Sequence, residues 1–172
     1  MKKKLLYYIN VFLIYAFIGF IIETLIKYIF LPKMNNGSLN GPWIPIYGLG
    51  YILIVIIIKI INRFSINNTL KNIIIFIVSA LLISLLEFIG GIILEKITRK
   101  VFWRYDFLPL NIGHYMAVEM AIVWGIISLL IKYIFKPKTD NLVSHTPDFV
   151  TYLFFIIFLF DLSLTSILKI IK

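Results

Sequence analysis

Glu23, Glu87, Glu95, Glu119 and Asp161 lie within, or at the edge of, long apolar runs of a 172-residue chain. An ionisable group inside a membrane-spanning segment is expensive unless it is paired or hydrated, so each is a candidate binding or proton-handling group. Glu87, Gly91 and Glu95 are spaced by four and share one helix face. Gly90 and Gly91 clear that face for close approach of a neighbour, and Gly19 with Glu23 repeats the pairing in the first run. The spacing predicts two helices packed along their glycines, aiming both carboxylates into one polar cavity. A plainer reading stands beside it. Glu23 with Lys27, and Glu95 with Arg99, have the i,i+4 spacing of simple ion pairs. Glu87 has no basic residue four positions away on either side. Asp161, amid FIIFLFDLSL, could bind a partner helix or accept a proton.

Two connectors add complementary chemistry. NNGSLNGPWIPIYGLG (35–50) concentrates glycine, proline and asparagine. Glycine there permits positive φ, and Pro42 and Pro45 fix the chain as it enters the next apolar run. A backbone so shaped is expected to present free N–H groups to an anionic group, with Asn35, Gly37, Gly41 and Tyr47 in the binding wall. FWRYDFLPLNIGH (102–114) supplies Trp103, Arg104, Tyr105 and Asn111 as further ligand-binding candidates beside Asp106 and His114. Trp and Tyr alone would mark an interfacial aromatic belt. The added cation, anion, amide and imidazole suit a charged headgroup or polar solute. For an enzyme, Glu87 or Asp106 would be the general base and His114 the acid. Asp106, His114 and Glu119 form the weaker alternative of a hard metal site; no cofactor is expected.

Elements able to position these groups follow from hydropathy. The chain is 61% hydrophobic and 15% charged, against roughly half and a quarter in soluble domains, with apolar runs near the roughly 20 residues that cross a bilayer. It is therefore expected to be an all-α, polytopic membrane helix bundle. About five transmembrane helices are expected (5–31, 43–61, 72–97, 113–135 and 149–171), with one or two structured or partly re-entrant loops on one face. The domain reading is a membrane core of four spans (1–138), a polar linker (139–148) and a fifth span (149–172). In five serial spans the first and third connectors share a side, which places the two special loops together. The net charge of +9 comes from Lys and Arg at the ends of runs, where they meet headgroups, so the bilayer, not nucleic acid, is the expected partner. Basic residues divide almost evenly between sides, and MKKK tips the N-terminus toward the cytoplasm. MKKK with the following run reads as an uncleaved first span. Zero cysteines exclude disulfides and thiolate chemistry, and abundant Ile, Asn and Lys point to a bacterial cytoplasmic membrane.

FIGFIIE (17–23), NNGSLNGPWIPIYGLG (35–50), LEFIGGIILEK (86–96) and FWRYDFLPLNIGH (102–114) come in the order of a known group. They resemble the ABC-transporter type IV proteins, the CmpB-like permease family, over about residues 10–135. The resemblance implies a multi-spanning, permease-like protein. It points to Gly19, Glu23, Asn35, Gly37, Gly41, Pro42, Pro45, Tyr47, Gly48, Glu87, Gly90 or Gly91, Glu95, Trp103, Tyr105, Pro109, Asn111 and Gly113. The chain departs from the pattern at Asn36, where the family usually has Arg, and around Arg104-Tyr105-Asp106, where the acid is shifted.

The functional expectation is a permease-like protein with a one-sided polar cavity for a small polar solute, completed by a separate ATPase subunit or a homo-oligomer. No G-x-x-x-x-G-K-[ST] loop occurs in the sequence. The alternatives are a membrane-embedded enzyme acting on lipid or isoprenoid headgroups, and a structural or regulatory membrane subunit.

Overall fold

The computed structural model describes residues 2–30 and 39–170. Asn35, Asn36 and Gly37, from the first connector, lie outside the described residues. Helices form where apolar residues run without interruption. They are α1 (Lys2–Phe30), α2 (Pro45–Ile61), α3 (Asn68–Thr98), α4 (Val118–Leu130), a π-helical segment (Ile131–Phe135), α5 (Lys136–Ser144) and α6 (Asp148–Ile170). Among the described residues, four helical stretches are long and apolar enough to cross a membrane: Lys2–Ile29, Asn68–Thr98, Val118–Ser144 and Asp148–Leu168. Helix α2 is apolar but has 17 residues, about 25 Å at the helical rise. The all-α membrane architecture is as expected. The fourth helix differs from its expected bounds, beginning at Val118 and running through the π-helical segment to Ser144. Residues 139–144, the first part of the 139–148 stretch read as linker, are thus helical. Lys136 and Asp140, four apart, are ion-paired on α5.

The chain divides into two compact units. The first comprises Met1–Leu49 and Asn141–Lys172. Here α1 packs on α6 around Leu13, Ala16, Trp43 and Phe158, with Phe158 edge-on to both Phe12 and Trp43. Within this apolar seam Asn10 and Thr151 are buried and exchange two hydrogen bonds, of 2.8 and 3.1 Å. Such a pair satisfies groups that lipid would leave bare.

The second unit is Gly50–Asp140. Asn67 caps α3 by accepting from the Leu70 N–H at 2.7 Å. Helices α3 and α4 run antiparallel, joined by a connector that folds back along α3. Arg99, at the end of α3, adopts φ 53° and turns the chain out of the helix. A hairpin of β1 (Asn111–Ile112) and β2 (Met116–Ala117) follows, with Asn111 opposite Ala117. Gly113 at φ 65° makes its turn. This hairpin was not expected, because strands of two residues carry no readable alternation.

Candidate functional site

Glu87 is buried near the middle of α3. Its Oε1 accepts from the Tyr105 hydroxyl at 2.9 Å and its Oε2 from the Trp124 indole N–H at 2.9 Å. Tyr105 comes from the connector and Trp124 from α4, so three elements meet at one carboxylate. Both donors are neutral. Among the described residues no cation pairs with Glu87.

Two turns further along α3, Glu95 accepts from the Tyr115 hydroxyl at 2.8 Å. The expected pairing with Arg99 is not formed by its side chain; the Arg99 N–H instead bonds the Glu95 carbonyl. Tyr115 lies over Gly91, where any Cβ would collide with its ring. Burial and the neighbouring Glu95 carboxylate push the Tyr115 phenol up to about 12. The Trp103 and Tyr115 rings pack in a T-shaped arrangement, their centroids 5.8 Å apart.

On the connector's outer side, Asp106 is shared. Its Oδ2 takes Arg104 Nε at 2.6 Å and its Oδ1 takes His114 Nδ1 at 2.6 Å. A carboxylate only accepts, so Nδ1 carries the proton and Nε2 is left as the acceptor of a neutral ring. The His114 hydrogen bond, with help from Arg104, holds the Asp106 carboxyl below its ordinary range. Asn111 serves the loop itself, donating to the Leu108 carbonyl at 2.7 Å. Glu119 receives the Leu110 N–H at 3.0 Å, while its Oε2 has no partner among the described residues. No group of three His, Asp or Glu side chains among the described residues is placed to hold a metal.

The first unit holds the other candidates. Glu23 pairs with the buried Lys27 at 2.6 Å, the i,i+4 bridge that its spacing allowed. The Tyr47 ring fills the space beside Gly19. The two glycines expected to bring helices together therefore each receive a tyrosine ring, because that ring occupies the volume the missing Cβ frees. Gly41 donates its N–H to Asp161 Oδ1 at 3.0 Å, and the Asn40 N–H goes to Thr165 at 3.2 Å. An acid of α6 thus meets the Gly41 N–H, which gives the isolated Asp161 a partner. Its Oδ2 has none among the described residues.

Trp124, Asn10, Thr151, Asn72 and Lys132 were not singled out by sequence, though they carry much of this polar chemistry. Asn72 Oδ1 accepts from Lys132 at 2.7 Å and from Tyr133 at 2.9 Å, at the π-helical segment. A usable signal existed for Trp124. An indole deep in an apolar run, away from either interface, needs an acceptor.

Four helices of spanning length, crossed by carboxylates with hydrogen-bond partners, define a multi-pass membrane protein. The chain belongs to the family described as "Putative ABC-transporter type IV", which it matches over residues 10–166. That match extends through most of α6 and beyond the stretch in which the resemblance was first legible. No curated protein and no solved structure matches the chain.

Proposed function

We propose that this protein is the membrane-spanning subunit of a transporter, and that Glu87 meets a small solute bearing an amine or hydroxyl group. The observation that carries this reading is a buried carboxylate, in a spanning helix, held by neutral donors alone. Neutral donors orient the group without cancelling its charge, so a cation or a hydrogen-bond donor completes it at low cost. Tyr105 is the donor that can be exchanged, since it stands on the connector and not on a spanning helix. Glu95, Trp103, Arg104 and Asn111 belong to the same unit and would shape the approach. ATP hydrolysis, if it drives the movement, comes from a separate subunit, consistent with the family the chain matches.

Affinity purification from native membranes in mild detergent tests the partnership. A stoichiometric ATPase supports it, and recovery of the chain alone or as a homo-oligomer removes the ABC mechanism. Thermal-shift screening of small amines and polyols against wild type and Glu87→Gln then tests the site. A ligand that stabilises wild type and not the folded variant supports the reading; unchanged stabilisation of Glu87→Gln sinks it.

One observation favours a second reading. The Asp106–His114 pair has the arrangement by which a carboxylate fixes an imidazole tautomer for general-base work. An enzyme acting on lipid headgroups would release a chemical product that His114→Gln abolishes, whereas a permease releases none.

A further inference from the structure

The connector between α3 and α4 exposes apolar side chains that its own fold does not need. Phe107 is 76% exposed, Leu110 57% and Ile112 51%. Its backbone, by contrast, is bonded internally at several points. The Tyr105 N–H bonds the His114 carbonyl at 2.8 Å, the Leu108 N–H the Tyr105 carbonyl at 2.9 Å, and the Val118 N–H the Leu110 carbonyl at 3.1 Å. The Leu110 N–H is taken by Glu119. Each internal bond lowers the cost of taking that peptide group out of water, and the apolar side chains face outward. The segment also runs straight into two spanning helices, at Thr98 and Val118, which confines it near the bilayer surface.

Charge points the same way. Lys96, Arg99 and Lys100 are exposed at the root of the connector. Among the described residues none of the three has a carboxylate partner, whereas Arg104 is already engaged by Asp106. A basic collar beside apolar tips matches an anionic lipid surface.

We propose that this connector docks on the membrane surface, with Phe107, Leu110 and Ile112 in the headgroup–acyl boundary and Lys96, Arg99 and Lys100 on anionic phospholipid headgroups. The docking is independent of the transport reading. It holds the element that carries Tyr105 and Tyr115 against the bilayer, and makes the lipid a ligand of this loop.

The absence of cysteine permits a direct test. Phe107→Cys and, separately, Ile112→Cys are labelled with an NBD fluorophore in the full chain. They are reconstituted in vesicles of phosphatidylcholine with phosphatidylglycerol, and His145→Cys, exposed in the turn between α5 and α6, serves as the aqueous reference. Retention of the wild-type thermal transition selects usable variants. Both connector labels are expected to emit to the blue of the reference. They should be quenched several-fold more by nitroxide-bearing lipid than by aqueous iodide, at a depth of roughly 5–10 Å. Replacing Lys96, Arg99 and Lys100 by Gln should make both labels shallower in these vesicles and leave them unchanged in phosphatidylcholine alone. Iodide quenching equal to the reference overturns the docking. Shielding from both quenchers overturns it too, by showing that protein covers the surface. Equal depth of the triple variant in both vesicles overturns the role of anionic lipid.

Discussion

At the scale of single residues, Glu87 is defined by what its two donors do. Removing one donor strands a buried carboxylate oxygen, at about 1–3 kcal/mol. Tyr105→Phe and Trp124→Phe should each lower stability by that order, measured by thermal unfolding in one detergent. They share one acceptor group, so the double variant should depart from the sum of the singles. Strict additivity would show that the two bonds do not form one network. Asp106 gives a pH dependence. Its folded carboxyl lies below the ordinary value of about 3.9, first through the His114 hydrogen bond and then through Arg104. A depressed carboxyl contributes stability that is present above its unfolded value and lost as pH falls through the folded one. The melting-temperature gap between wild type and Asp106→Asn should therefore be constant above that value and close as the pH drops below it. A gap that widens on acidification would mean that the carboxylate is not what holds His114 and Arg104.

Elements show where tight approach, not hydropathy, decides the structure. On α2, Gly48 faces the Phe12 carbonyl, which a Cβ would meet at 2.5 Å, whereas Gly50 meets only Ile83 Cδ1 at 3.7 Å. Gly48→Ala should cost about 1–3 kcal/mol, as overpacking does. Gly50→Ala should be neutral or gain up to about 1 kcal/mol from helix propensity. Thermal unfolding of the two variants side by side separates these outcomes. Equal effects would place the Phe12 backbone elsewhere. This is also the scale at which the sequence was most and least informative. Uninterrupted apolar runs located the helices to within a few residues, apart from the far end of the fourth, because lipid forces every peptide group to bond within its own segment. Glycine and carboxylate spacing showed which faces were special but not what would cover them. The tyrosine at Gly19 comes from the first turn of α2 and that at Gly91 from the β1–β2 hairpin, and no local pattern records such a meeting. Continuation of helix through residues 136–144 was hidden for a related reason. Their polarity resembles a linker, yet the i,i+4 charge pair of Lys136 and Asp140 supports the helix.

At the scale of the whole molecule, the last helix packs within the first unit. Helix α6 supplies Thr151 to Asn10, Asp161 to the Gly41 N–H and Thr165 to the Asn40 N–H. The family match also runs to residue 166. Sequence reading set α6 apart behind a linker because partners this distant share no periodicity: 141 positions separate Asn10 from Thr151. Intramembrane side-chain bonds of this kind average about 0.6 kcal/mol, so the pair alone does not hold the unit. Loss of the whole helix also removes Phe158 from the core that Leu13, Ala16 and Trp43 form. Truncation after Pro147 should therefore loosen the first unit selectively. Hydrogen exchange should rise across α1 and across residues 39–49, while protection in α3 and α4 is retained, because the Glu87 bonds lie wholly within Gly50–Asp140. Uniform loss of protection would instead make the two units a single cooperative structure, with α6 supporting Glu87 at a distance.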